Sequence, residues 1–510
     1  MQLEQTTMKI NRIFFLFLVF LIETSQVNAN VLFNVRDFGA VGDGKVICTV
    51  SIQKAVNACA KAGGGKVIFP AGKYLSGPIF LKSNVYIEVI AGATILYIPD
   101  LQKTPVINGI WEGIERKIYA SLFTGFNLEN VTISGRGKLD GQGQDWWDAS
   151  RETEALRKKM NLTEREPDNP KGSALKYPRP RMINLYHCKN VMISELTITN
   201  SPSWTIHPVY CKNVMIEKIS IIQPYESPNT DGIDIESCNN VRIFNCFIDC
   251  GDDCIALKSG YNEHGRKKGI SCKNIVIASC TFAHGRSAIC IGSEMSAGVR
   301  NVTATNCTFD GTLRGLRIKT TRDRGGVVEN IIFSNIIMDN ITEGISFDMY
   351  YDANSEEPKP ITEKTPFFKN IRCFNIIGTN IKQAINLSGL PEAPMEDVTF
   401  QNIYFKSIEG VNCKFGKNIN FNNCEINVEK GSVFLVKKTN GILLDNVGCN
   451  QPLLGIPVIN IGSSSDVVVR NCKPAKGTEI FIQSWNTDDI ESINNILGKA
   501  TIIKKNSDKN

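Results

Sequence analysis

Four stretches decide the fold: Cys188-Lys189-Asn190-Val191-Met192-Ile193, Cys211-Lys212-Asn213-Val214-Met215-Ile216, Cys238-Asn239-Asn240-Val241-Arg242-Ile243 and Cys272-Lys273-Asn274-Ile275-Val276-Ile277. Each is an Asn followed by a short apolar alternation, with a cysteine two residues before it. The Asn-Val or Asn-Ile pair recurs at Asn130, Asn190, Asn213, Asn240, Asn274, Asn301, Asn330, Asn370 and Asn418. A second cysteine series, Cys246, Cys280 and Cys307, lies six residues after the marker of its own unit. Period-two apolar runs between polar turns read as short strands. No helical pattern of ten or more residues separates the units, which excludes a βαβ sheet. Like residues at like phase are expected where successive coils stack side chain on like side chain. The fold class expected is all-β: a single-stranded parallel β-helix. The cysteines fit it as a buried ladder of free thiols rather than as disulfides. The recurrent Asn fits as a structural turn residue.

Outward from the repeat, residues 30–100 read as an N-terminal cap and first coils. Ser51 to Ala62 has the apolar spacing of a short helix (Ile52, Ala55, Val56, Cys59, Ala60), closed by Gly63-Gly64-Gly65. Those glycines follow a helix rather than open one, so they are not a phosphate loop. Residues 101–510 read as the β-helix proper, interrupted by a polar insertion at 141–181 with few strand signals. Residues 1–29 read as an export signal: Lys9 and Arg12, an uncharged apolar stretch from Ile13 to Ile22, then Val27-Asn28-Ala29. Ten apolar residues are too few to span a bilayer, and no later segment is longer. The expected protein is secreted or periplasmic, without a membrane span, and monomeric. With 42% hydrophobic and 21% charged residues over 510 positions the composition is that of a globular chain. A net charge of +6 without a dense basic run argues against nucleic acid and is compatible with an acidic substrate.

Four motifs carry the chemistry, each in its own repeat unit: Asn229-Thr230-Asp231, Gly251-Asp252-Asp253, His284-Gly285 and Arg317-Ile318-Lys319. Coils stacked at about 4.8 Å would spread four such groups over roughly 15 Å of one surface. Crowded carboxylates push one proton affinity up, so one can act as acid while another stays ionised. Glycoside hydrolysis needs that division. Asp252 and Asp253 can serve together only if a turn splays them onto one side, since strand neighbours face opposite ways. Arg317 and Lys319, two apart, point to one face and could clamp a carboxylate. The alternative for Asp231, Asp234, Asp252 and Asp253 is calcium, for which His284 and the two cations are poor neighbours.

On these motifs, together with Phe38-Gly39-Ala40, Pro70-Ala71-Gly72, Trp204 and Gly292-Ser293-Glu294-Met295-Ser296, the chain resembles the pectin-degrading polygalacturonases of glycoside hydrolase family 28. The resemblance implies a right-handed helix and metal-free, cofactor-free hydrolysis of α-1,4-linked polygalacturonate with inversion. It implies Asp252 as general acid, Asp231 and Asp253 on the water, and His284 supporting the acid. It implies Arg317 and Lys319 on the substrate carboxylate, with Asn229 at the substrate. Tyr350 stands either where the family often has a substrate-contacting Tyr or as a core residue. Trp204 and His207 resemble residues of exo-acting members, or are packed core. Lys258 is either a substrate contact or a solvated lysine. Trp146 and Trp147 either stack on sugars or are buried. The insertion, walling off one end of the cleft, suggests exo action. Rival readings are a rhamnogalacturonan or xylogalacturonan hydrolase, a Ca²⁺-dependent pectate lyase, and a non-catalytic glycan-binding protein.

Overall fold

The computed structural model describes residues 31–102, 104–162, 169–351, 355–487 and 490–505. The expected export signal therefore lies outside the described residues. Thirty-six strands form one continuous sheet. It is a right-handed parallel β-helix, the hand that right-twisted strands impose on parallel connections. Register is strict. Val191, Val214, Val241, Ile275, Val302 and Ile331 are neighbours in turn, each paired with its counterpart one coil away.

The Asn marker has a double role. Asn130, Asn190, Asn213 and Asn240 have φ of 57°, 56°, 56° and 61°, a left-handed turn that Asn tolerates better than most residues. Each side-chain amide then donates to the previous one: Asn190 to Asn130 at 3.0 Å, Asn213 to Asn190 at 2.9 Å, Asn240 to Asn213 at 2.8 Å. The ladder steps across to Asn239 at Asn274 and runs on through Asn301, Asn330 and Asn370. A second ladder climbs Asn335, Asn375, Asn402, Asn423 and Asn446. One hydrogen bond is worth about 1 kcal/mol net, whereas burying an Ile or Val contributes about 1.5–3 kcal/mol. The apolar columns thus supply stability, and the amide ladders supply register. All 17 cysteines are buried free thiols; the Cys211 sulfur accepts from the Cys188 amide at 3.4 Å, as the Cys238 sulfur does from the Cys211 amide at 3.3 Å.

Helix α1 (Thr49–Lys61) lays Ile52, Ala55, Val56 and Cys59 on the end of the solenoid. Strands Leu32–Asn34 and Asp43–Ile47 pair in parallel with Gly65–Phe69 and Gly72–Ser76, and the core column then runs from Val67 to Ile87 and from Ile87 to Ile133. Two elements depart from the sequence expectation. Residues 106–119 are not coil but an antiparallel hairpin, Val106–Trp111 against Ile114–Tyr119. The insertion is not a loop but carries α2 (Gln144–Lys159), a helix of 16 residues. Its buried face is Trp146, Trp147, Thr153 and Arg157 rather than a Leu or Ile stripe, which is why no helical apolar period showed. Trp146 packs on Tyr119 and Leu175, and the Trp147 indole donates to the Ser201 carbonyl at 2.9 Å. Both tryptophans are buried.

Six strands form the sheet that bears the motifs: β1 (Ile183–Tyr186), β2 (Ile206–Val209), β3 (Ile233–Glu236), β4 (Asp253–Lys258), β5 (Gly285–Ile291) and β6 (Thr312–Lys319). They pair in that order, with Ala256, Cys290 and Arg317 in one row.

Asn240→Ala should lower the free energy of unfolding by about 2 kcal/mol, about 1 from left-handed strain and about 1 from the lost ladder bond. Asn240→Gly, which relieves the strain, should cost about half as much. Denaturant midpoints decide it, and equal losses for the two variants would refute the dual role.

Candidate active site

Asp252 sits in the bend just before β4, and its Oδ1 accepts from the backbone N–H of Asp253 at 2.9 Å. This local bond folds the Asp252 carboxylate back onto the Asp253 side and satisfies the condition set by strand alternation. Asp231 arrives from the turn before β3. The three aspartates bring one oxygen apiece within 4.8 Å of one another. Close backbone approach makes this possible: a Cβ on Gly251 would lie 2.3 Å from the Ser227 carbonyl, and one on Gly285 2.8 Å from the Asp252 carbonyl.

The cluster is electrostatically uneven. Burial, then the charges of Asp234 and Asp252, push Asp231 well above the usual carboxylate range. Burial and Asp253 raise Asp252. Burial also works against ionised Asp253, but Lys319 and Arg317 outweigh it and hold it low; the Lys319 ammonium is 2.9 Å from its Oδ2. Of the three, Asp253 alone is held below the usual carboxylate range, while Asp252 and Asp231 are both pushed above it. A role for Asp231 as an ionised base is therefore at odds with its surroundings, whereas the opposition of Asp252 and Asp253 agrees with them.

His284 is more than half exposed and pairs through Nδ1 with Asp249 at 3.1 Å. Arg317 and Lys319 share a face as expected, with Tyr351 over both, its ring centre 5.5 Å and 5.2 Å from their charged groups. Asn229 is half-buried at φ 49°, and its Oδ1 accepts from Arg179 at 2.7 Å.

Three of the candidate substrate contacts stand in buried or core-packed surroundings. His207 is fully buried, bound to Glu236 at 3.0 Å and edge-on to Trp204, the packed position that was one of its two readings. Lys258, expected as a substrate contact or a solvated lysine, is not solvated. It is buried 3.1 Å from Glu294 and 3.7 Å from Asp234, under the Trp204 ring. Tyr350 packs against the core beside Arg322, and the tyrosine that meets the two cations is its neighbour, Tyr351. Asp234 is fully buried, with burial the main cause raising it to about 8 against the pull of Lys258. Two adjacent tyrosines offered no signal to choose between them, and the buried pair Arg179 and Arg181 was visible only as basic residues at the end of the insertion.

The hairpin closes one end of this surface. Trp111 stacks on Trp204, 5.5 Å between rings and 10° from parallel, with Arg181 4.7 Å from the Trp111 ring. A recess of about 480 Å³ is lined jointly by Trp111 and Glu112 of the hairpin, Arg151 of α2, Arg179 and Asn229. The insertion thus borders the site.

Three carboxylates at this spacing could bridge a divalent ion. The donors present fit one poorly, because Asp253 is already neutralised by Lys319 and calcium asks for six to eight oxygens.

The model of the glycosyl hydrolases family 28 matches residues 59–427. The chain belongs to family 28. It is a glycoside hydrolase of polygalacturonase type, and polygalacturonate is the substrate that type implies. A probable polygalacturonase of Vitis vinifera is 35% identical over 380 residues, 72% of each chain. A hyperthermoactive exopolygalacturonase from Thermotoga maritima superposes with a TM-score of 0.70 at 34% identity, covering 78% of this chain and 92% of its own. The polygalacturonase of Erwinia carotovora ssp. carotovora gives 0.61 at 26% identity, covering 78% and 98%. Among the described residues of this family 28 chain no helix is long and apolar enough to cross a membrane.

Lys319→Met should leave Asp253 without its main counter-charge and raise its proton affinity. The acidic limb of the kcat/KM profile should then move to higher pH, with a loss of about 10²-fold or more at the optimum. An unmoved acidic limb would show that Asp253 is not the ionised partner.

Proposed function

We propose that the protein is a secreted, exo-acting polygalacturonase that hydrolyses α-1,4-galacturonosidic bonds by inverting, metal-free acid/base catalysis. The observation that carries the chemistry is the asymmetry of the cluster, with Asp252 biased to keep its proton and Asp253 to lose it. Asp252 protonates the glycosidic oxygen as the bond to the anomeric carbon breaks. A water held at Asp253 attacks that carbon from the opposite face and gives its proton to Asp253. Asp231 Oδ1, buried without a hydrogen-bond partner among the described residues, is available to orient that water. Arg317 and Lys319, under Tyr351, hold the uronate carboxylate beside the scissile bond.

The carboxylate spacing bears on stereochemistry. Inverting pairs usually stand about 6.5–9.5 Å apart and retaining pairs about 5–5.5 Å, and these nearest oxygens are within 4.8 Å. Covalent retention would need an unencumbered nucleophile, whereas Asp253 is 1% exposed and held by Lys319. Water delivery is the reading favoured. Exo action is supported by the Trp111–Trp204 stack and by the recess that the hairpin and α2 share beside Asn229, which border one end of the site. The exo-acting Thermotoga relative points the same way.

Asp252→Asn should reduce hydrolysis of polygalacturonate by about 10²–10⁴-fold; near-normal turnover would sink the assignment. A time course on polygalacturonate should release monomer or dimer from the start, with the β-anomer formed first by proton NMR and rates unchanged by a chelator. An early ladder of oligomers would overturn exo action. First-formed α-anomer would overturn inversion, and chelator inhibition the metal-free mechanism.

A further inference from the structure

One cation at the site has no place in this scheme. Arg286 follows the His284-Gly285 motif on β5, with its backbone N–H bonded to the Asp252 carbonyl at 2.8 Å. Its Nε lies 3.5 Å from Asp252 Oδ2, and its side chain is 64% exposed. The other charged groups around Asp252 are Asp253 and Lys258 on β4, Asp231 before β3, Asp234 on β3 and Lys319 on β6, with Arg317 acting on Asp253 and His284, on the turn into β5, paired with Asp249. Of the cations, Lys319 is held by Asp253 and Lys258 by Glu294. Arg314, which pairs in register with the neighbouring Ser287, is held by Glu343 at 3.3 Å. Arg286 stands out as a rim cation that meets the carboxylate cluster through one long contact and is free to swing.

That contact opposes the chemistry. A guanidinium beside a carboxylate favours its ionised form, and Asp252 must carry a proton to act as acid. The conflict disappears if the guanidinium has somewhere better to go. A uronate substrate brings its own carboxylate, and a two-point Arg–carboxylate pair is stronger than a single contact at 3.5 Å.

We propose that Arg286 is a substrate-operated latch: it holds Asp252 in the free enzyme and passes to the carboxylate of the uronate across the scissile bond from the one that Arg317 and Lys319 hold. Arg286 is thus a substrate-binding residue that also prepares the acid, and the charge of the substrate itself arms the site. No covalent step is involved. The inference rests on Asp252 being the general acid.

The test is a pair of pH profiles on polygalacturonate for wild type, Arg286→Gln and Arg286→Lys. The basic limb of kcat/KM reports the acid in the free enzyme, and that of kcat reports it in the complex. In wild type the kcat limb should lie above the kcat/KM limb. In Arg286→Gln the kcat/KM limb should rise by about half a pH unit, a modest shift because the pair is exposed, while the kcat limb stays put. KM should rise about tenfold. Arg286→Lys should restore part of the gap. Equal displacement of both limbs, or an unchanged gap and KM in Arg286→Gln, would overturn the latch. If Asp252→Asn is inactive while Arg286→Gln leaves the gap intact, the latch alone fails. If Asp252→Asn is active, the acid assignment fails.

Discussion

The left-handed Asn turn, with its amide passed from coil to coil, is the constraint on which the rest of the molecule hangs. A parallel strand can slip along its neighbour by two residues without exposing its apolar face. An Asn that must both adopt φ near 56° and meet the Asn above it removes that freedom. Once register is fixed, columns of Val and Ile form without further instruction. The outward side chains form columns too, and one of them becomes a cleft floor. Asp231, Asp252 and Asp253 meet because they stand at the entrances to adjacent strands of one locked sheet, although the chain between them makes a full turn of the solenoid.

The same geometry explains the charge arrangement. Carboxylates drawn this close and buried all raise one another's proton affinity. The ammonium of Lys319 breaks the tie, and it can do so because β6 lies two strands from β4 with its odd-numbered residues facing outward. A cation placed one residue along would point into the core. The division of labour among the aspartates is thus a consequence of strand alternation two coils away.

How legible this was in the sequence differed by feature. The β-helix was readable because Asn and Cys recur at fixed phase, and so were the clustering of Asp231, Asp252 and Asp253 and the shared face of Arg317 and Lys319, because each motif sits in its own unit. What escaped was whatever lies off the repeat. The hairpin around Trp111 has no Asn marker. Helix α2 buries two tryptophans, a threonine and an arginine in place of an aliphatic stripe. The hairpin also hides Lys258, which looks solvated on a bare sheet but lies against Trp204, on which Trp111 stacks. Tyr351 was missed for a smaller reason: a turn at the end of a strand decides which of two adjacent tyrosines faces the cleft.

The solenoid also distributes risk along its length. Each coil touches only its immediate neighbours, so opening begins at the ends and has to travel inward. The site occupies coils between Asp231 and Lys319, while paired strands extend back to Leu32 and forward to Lys505, at the C-terminal end well past the region that matches the family. Fraying at either terminus spends itself in coils that carry no chemistry. The outlying turns act as sacrificial length, keeping the aspartates in place while the ends breathe.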